Sequence, residues 1–429
     1  MIDSKEPKVN SRTPDVHLPE QFDVIVVGGG PAGSTAARRA AQKGASVLLI
    51  DAATFPRVKP CGGAVSEQAL SYLDFPLEAP IIQAEVCGAR IHYAGNIVEG
   101  RRKHRMAVLT SRIELDAFLL KMAADAGANI VQGERVEEVS QTDSCVVVST
   151  AQRKFTSKYL IGADGAQGVI SRTIRPKLSK DEFAVAYEGD VACTALSPAL
   201  LSHDLIDIYF GQEYMGYSWV FPKRDRWNIG VGALASQATN VKSQTRNFLA
   251  SLPDLRIDNG ASLESGRGWT IPTGGYRRIV GLKRIYLVGD AAGFVDPFTG
   301  EGIAYAILSG SQAGEITGAA SLESAGTSVE TGQKRYLAFC RSHIDADLKY
   351  GLLFAKLLHF WPSGLLRLFS TDSRLINKYL EVPAATMSYR EYFRWFLPRA
   401  LVGILRMVSR DLRTAIIRRP TDSQRNRMS

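Results

Sequence analysis

The segment Asp23–Asp51, DVIVVGGGPAGSTAARRAAQKGASVLLID, constrains the fold of this chain more than any other stretch. Val24, Ile25, Val26 and Val27 form an unbroken apolar run, as a parallel strand covered on both faces requires, and the run stops at a glycine cluster. Gly28, Gly30 and Gly33 fit G-x-G-x-x-G, followed by an Ala-rich helical segment from Ala32 to Lys43. Gly44 ends the helix, Val47 to Ile50 form a second apolar strand, and Asp51 closes the unit. In such a unit the first glycine makes the tight turn and the second lets the backbone approach a pyrophosphate. The third lets helix and strand pack closely, while the helix N-terminus faces the phosphates. Asp51 stands where a carboxylate accepts hydrogen bonds from an adenosine ribose. A lone G-x-G-x-x-G is weak, but strand, glycines, helix, strand and acid in order within about 30 residues make a specific signal.

The next stretch, FPRVKPCGGAVS from Phe55 to Ser66, carries two prolines and the pair Gly62-Gly63, which imply a loop with close backbone approach. Cys61 is its reactive side chain; on position alone an inert packed thiol is the commoner reading. Ala84 to Tyr93 and Asn96 to Arg105 predict a hairpin that leaves the first sheet. A helix starts near Thr110 or Ser111, with Glu114 at capping-box distance from Ser111, and Ala128 to Gln132 is a further strand. Arg112, just inside that helix, is placed either to meet phosphates or to serve as an interhelical cation. Val146 to Thr150 and Lys154 to Ala163 predict a second hairpin, ending at Asp164-Gly165, a turn by default. In YSWVFPKRDRWNIGVG, alternation puts Tyr217, Trp219 and Phe221 on one strand face, either a ligand wall or a sheet core. RIYLVGDAA, containing Gly289 and Asp290, repeats the apolar-strand-to-glycine pattern. It leads through a Pro-Gly turn into a helix whose first amides, those of Gly300, Glu301, Gly302 and Ile303, can stabilise negative charge.

At 429 residues two or three lobes are expected. Five scattered cysteines without a C-x-x-C pair point to a reducing cytosol, and six dispersed histidines give a metal site no support. Residues 1–20 are polar and read as a flexible leader, and no uncharged apolar run is long enough to span a bilayer. From Arg390 to Ser429 there are ten arginines, no lysine and three acids, which concentrates most of the net charge of +9 in the last tenth of the chain. Such a tail suits anionic lipid, nucleic acid or an acidic protein, and otherwise a solvated helix face.

Three separated pieces, GGGPAG at 28–33 with Asp51, GADG at 162–165 and GDAAGFVDPFTGEGI at 289–303, resemble those of the flavoprotein hydroxylase superfamily. Within it, PRVKPCGGAVS at 56–66 and the segment at 217–232 look like the geranylgeranyl reductase family, which saturates double bonds of isoprenoid chains. The resemblance covers Phe22 to the helix after Ile303 and leaves the last 90 residues undefined. It implies an α/β fold in which a Rossmann-like FAD-binding domain (21–80, 108–178 and 277–330) carries an inserted antiparallel-sheet substrate domain (81–107 and 179–276). A helical basic C-terminal region (331–429) follows. It further implies FAD held by Gly28, Gly30, Pro31, Ala32, Gly33, Asp51, Arg112, Asp164, Gly289, Asp290, Gly300, Gly302 and Ile303. Cys61, Gly62 and Gly63 are then expected at the flavin, with Cys61 or an ordered water as proton donor, and Tyr217, Trp219 and Phe221 along the substrate channel. The expected substrate is an isoprenoid or similar apolar molecule. Electrons are expected from NADPH, another external donor or a redox partner, since no second fingerprint is present. The expected setting is the cytoplasm, with peripheral contact to an anionic membrane through the C-terminal region and no specific nucleic acid. The same fold also supports a monooxygenase or halogenase-like enzyme acting on an aromatic substrate, which is the rival expectation.

Overall fold

A computed structural model describes residues 20–192, 203–211, 215–252, 266–274, 278–322 and 329–417. The expected leader before residue 20, and the tail from 418 onward, lie outside the described residues. Glu20–Val27 is central in an eight-stranded sheet, pairing in parallel with Val47–Asp51 on one side and Lys154–Gly162 on the other. Asn129–Gln132 and Ile285–Leu287 extend the parallel order outward; Val146–Thr150 forms the expected hairpin with Lys154–Gly162, and Val136–Gln141, which was not expected as a strand, pairs with Val146–Thr150. Val24, Ile25 and Val26 have no exposed surface, as the unbroken apolar run required.

The Ala-rich composition of the first helix, Pro31–Gln42, has its reason in the long helix Ile303–Leu322. Gly310, Gly314 and Gly318 recur every four residues along one face of the latter. A Cβ added at them would lie 2.3 Å from Ala32 O, 2.3 Å from Ala36 O and 2.9 Å from Ala40 O. The two helices therefore meet almost backbone to backbone, and the glycine turn at the head of the first is pressed against the GDAA segment.

A seven-stranded sheet forms the second body, in the order Arg267–Ile271, Ala184–Ala192, Arg226–Leu234, Tyr217–Pro222, Leu205–Tyr209, Gly88–Tyr93, Asn96–Arg101. It is antiparallel except where Leu205–Tyr209 pairs in parallel with Gly88–Tyr93. The predicted hairpin is shorter than expected, Gly88–Tyr93 with Asn96–Arg101. The preceding strand, Ile82–Val86, instead joins Ala107–Thr110 and Ala64–Ser66 in a separate three-stranded sheet. Cys87 is the break: its amide bonds to Asp204 O and its carbonyl to Arg102 N, so the chain changes partners there. The capping box at Ser111 is also open. Ser111 caps Arg112–Asp125 by accepting from Ile113 N, while Glu114 accepts from the Gln83 amide.

After Val329 the chain is helical, through Val329–His343, Asp345–Phe360, Pro362–Thr371, Arg374–Tyr379 and Tyr389–Ile417. Val329–His343 packs on the nucleotide sheet through Tyr336 and Cys340, and the other four helices share an aromatic core. The Phe354 ring lies 5.6 Å from Tyr379, 5.8 Å from Tyr392 and 5.9 Å from Phe396, and the same cluster takes in Val98 and Phe210 from the second sheet. These helices are part of the body of the molecule.

Candidate functional site

A cavity of about 960 Å³ is walled by the 59–64 loop, the 295–303 turn, one face of the seven-stranded sheet and the C-terminal helices. Its polar end lies by the glycine turn. Gly28 has φ +105°, and a Cβ there would sit 2.3 Å from Ala163 O; one at Gly33 would sit 1.8 Å from Gly28 O. Gly30, which starts the first helix without a side-chain cap, is open by contrast: an added Cβ would meet only Arg57 and Arg112 guanidinium nitrogens, at 3.5 and 4.0 Å.

Both guanidiniums lean on one carboxylate, Asp116, which has no exposed surface; Arg57 stands 3.1 Å from it and Arg112 binds it at 2.7 and 2.8 Å. Burial works against the Arg112 charge, but Asp116 and the Cys61 side chain outweigh it and raise its pKa. Two cations share one anion above an uncapped helix N-terminus, which fits an anionic pyrophosphate. Asp51 accepts from the Gly29 amide at 2.6 Å and the Ala53 amide at 2.7 Å, so it also braces the turn; each carboxylate oxygen keeps a further lone pair for a ribose hydroxyl.

Asp164 stands behind this turn and caps the short helix Val169–Ile174 by accepting from Ile170 N at 2.9 Å. Burial pushes its pKa up to about 6. Gly289, at φ +54°, lets the GDAA segment approach Ala32, whose Cβ would lie 2.9 Å from an added one. Asp290 faces the cavity, 3.4 Å from Lys59. In the turn before Ile303–Leu322, Gly300 N bonds to Asp296 O and Glu301 N to Thr299 Oγ1, leaving the Gly302 and Ile303 amides without an acceptor among the described residues. The two donors border the cavity and the open Gly30 end adjoins its wall at Pro31, and together they fit FAD.

Cys61, Gly62 and Gly63 line the same cavity, and their backbone is fixed from the second sheet. The Cys61 amide donates to Glu188 Oε1 at 2.7 Å, and Lys223 Nζ donates to Gly62 O at 2.7 Å and to Thr110 O. A Cβ at Gly62 would lie 2.7 Å from the Phe221 ring. At Gly63, with φ +76°, it would lie 2.0 Å from Thr110 O. Trp219 lies flat over Gly230, where a Cβ would come within 2.2 Å of its ring, and its Nε1 donates to Asn228 at 2.8 Å. Tyr217 donates to Thr299 O, tying this wall to the 295–303 turn. The three aromatics form a row, with ring centroids 5.9 and 6.2 Å apart.

Of the residues singled out in the sequence, Pro31, Arg112, Asp290, Gly300, Gly302, Ile303, the 61–63 loop and the three aromatics converge on the cavity; Gly28, Gly30, Ala32, Gly33, Asp51, Asp164 and Gly289 shape the turn behind its polar end. Sequence reasoning missed the acids and the base that meet here. The Glu301 carboxylate, bonded to the Ser66 hydroxyl, is pushed up to about 7 by burial. Burial also raises Glu188 and lowers Lys223. It missed Leu352, Phe354 and Phe369 as well, which bring the C-terminal helices into the cavity wall. Among the described residues no group of side chains has the makings of a metal site.

Residues 21–328 match the family model described as FAD binding domain. The chain is 34% identical over 313 residues to the menaquinone reductase of Mycobacterium tuberculosis, covering 69% of this chain and 76% of that one. It is 31% identical over 362 residues to the digeranylgeranylglycerophospholipid reductase of Methanococcus vannielii, covering 79% and 88%. A solved geranylgeranyl bacteriochlorophyll reductase-like protein from Thermoplasma acidophilum superposes with a TM-score of 0.72 at 24% identity, over 90% of this chain and 96% of that one, and shares the fold. The chain belongs to the geranylgeranyl reductase family of FAD-dependent oxidoreductases, with FAD as its cofactor.

Proposed function

We propose that this enzyme saturates carbon–carbon double bonds of a prenyl chain lying in the cavity. The observation that carries the reading is the continuity of that cavity, from the polar end at Arg112 and the 300–303 turn to a wall of Tyr217, Trp219 and Phe221 and the apolar C-terminal helices. Relatives named for digeranylgeranylglycerophospholipid and menaquinone reduction support it. The FAD residues and the division into a FAD-binding part (21–80, 108–178, 277–330) and a substrate part (81–107, 179–276) are proposed as the resemblance implied them.

FAD, once reduced, supplies the hydride; the protein supplies placement and the proton. The aromatic row orients the chain and excludes water, while Gly62 and Gly63 put bare backbone on the cavity wall, where an alkene carbon can come close. Cys61 Sγ accepts from the Gly63 amide at 3.4 Å and borders the cavity, and it is the proposed proton donor to the second alkene carbon. NADPH or a partner protein returns the electrons, and an anionic membrane surface is the proposed place of work.

Mass spectrometry of lipid extracts from cells with and without the protein tests the function. Products heavier by one dihydrogen per reduced bond are expected. Hydroxylated aromatic products formed in air would establish the monooxygenase instead. If Cys61→Ala leaves anaerobic single-turnover alkene reduction unchanged, the proton comes from elsewhere.

A further inference from the structure

We infer that an exposed apolar face on the C-terminal helices inserts into an anionic bilayer and opens the mouth of the cavity into the lipid. Phe360 is 89% exposed and ends Asp345–Phe360, with Trp361 following it; Leu401 is 61% and Leu405 67% exposed on Tyr389–Ile417. Single exposed apolar side chains are ordinary on a protein surface, but a contiguous set signals an interaction site. Here Leu397, Leu401 and Leu405 recur at helical spacing along one face, and the helices that carry the set pack together. The Phe354 ring of Asp345–Phe360 lies 6.1 Å from Phe393 and 5.9 Å from Phe396 of Tyr389–Ile417, and Leu368 of the intervening helix lies 2.3 Å from the position of an added Cβ at Gly403.

Two observations name the occupant. Phe360 lines the cavity together with His359 and Lys356, so the exposed face runs into the cavity wall. A chain leaving a leaflet at this point enters the cavity without crossing water. The second observation is charge. Between Tyr389 and Ile417 there are six arginines and two acids, and Arg394, Arg399 and Arg406 are exposed beside the leucines, as is Lys356 at the mouth. An apolar stripe flanked by arginines fits the interface of an anionic membrane, where each basic residue adds about 1 kcal/mol of attraction. No helix among the described residues is long and apolar enough to cross a membrane, so the helices lie in the plane of the interface. The inference rests on the prenyl-chain reading in that an aqueous substrate needs no such mouth.

The test sediments the FAD-loaded protein with phosphatidylcholine vesicles made with and without phosphatidylglycerol, and compares it with the double variant L401E/L405E. Neither leucine lines the cavity. Wild-type protein should bind the anionic vesicles, less so at high salt, and the variant should bind about tenfold more weakly or worse. FAD content and turnover of detergent-dispersed prenyl substrate should be unchanged. Equal vesicle binding by the two proteins overturns the inference. So does a wild-type dimer that the variant dissolves without any vesicle binding, since the face then belongs to a second copy. Weaker vesicle binding by the variant with no prenyl reduction by either protein keeps the surface and rejects the substrate reading. If the double variant does not fold, quenching of Trp361 emission by brominated lipid, isolated against Trp361→Phe, decides: no quenching overturns the inference.

Discussion

Glu301 and the glycines beside the cavity show how single positions set the chemistry. The Glu301 carboxyl is moved by burial from 4.5 up to about 7, although the Ser66 hydroxyl pulls the other way. Between those two pH values the folded protein holds a proton that the unfolded chain has released. Stability from this group is therefore full below pH 4.5 and is lost as pH rises to about 7. The loss is on the order of 3 kcal/mol. Glu301→Gln should flatten that part of the profile, read as the difference between the denaturant midpoints of wild type and variant across the window; parallel profiles would show that the carboxyl is already ionised. Gly62 and Gly63 separate two kinds of constraint. Gly62→Ala pushes only on the Phe221 ring, which can turn, so FAD retention should survive while turnover falls. Gly63→Ala meets the Thr110 carbonyl from a left-handed backbone, so the loop must move, at about 1–3 kcal/mol, and FAD content should fall with turnover. Absorbance of bound flavin beside single-turnover rates distinguishes the two.

Elements pack here according to what their small residues permit. Because Gly314 sits on the Ala36 carbonyl, Gly314→Leu must part the two long helices, and we expect a loss of about 1–3 kcal/mol or more, measured by thermal unfolding of the FAD-loaded protein. Gly44→Ala, whose added Cβ meets only Leu322 at 3.6 Å, tests backbone strain without that close packing. The glycine turn was legible in the sequence because its constraints are local: Gly33 answers to Gly28 five residues away, and Asp51 to the Gly29 amide at the far end of one βαβ unit. The row of Tyr217, Trp219 and Phe221 was legible for the same reason, since period-two alternation fixes a face. The partners of the 61–63 loop were not. Glu188 and Lys223 stand 127 and 161 residues from the atoms they hold, and only the topology of two sheets brings them there. Likewise, alternation through residues 82–93 gives no sign that the chain changes sheets at Cys87, because period two is satisfied by either partner. An amphipathic C-terminal helix announces that it buries one face without saying against what, and so its place in the cavity wall was hidden.

At the scale of the whole molecule, the 295–303 turn is where three bodies are joined. It leads out of the nucleotide sheet into Ile303–Leu322, receives the Tyr217 hydroxyl at Thr299 O from the second sheet, and receives the Tyr389 hydroxyl at Asp296 from the C-terminal helices. Asp296 is buried and also accepts from Phe298 N and Thr299 Oγ1, both at 2.8 Å, so one carboxylate organises the turn from within. Burial raises its pKa against these donors. Removing the Tyr389 hydroxyl takes away the donor that comes from outside the turn, and removing that of Tyr217 frees a carbonyl three residues later. If the turn is one rigid unit, the two losses cannot be independent. Tyr217→Phe and Tyr389→Phe should each cost about 1–3 kcal/mol, and the double variant should depart from their sum by about 0.5 kcal/mol or more. Chemical unfolding of the four FAD-loaded proteins measures the cycle. A sum that closes would mean that the sheet and the helices hold the turn separately, and that a substrate pressing on one wall is not felt by the other.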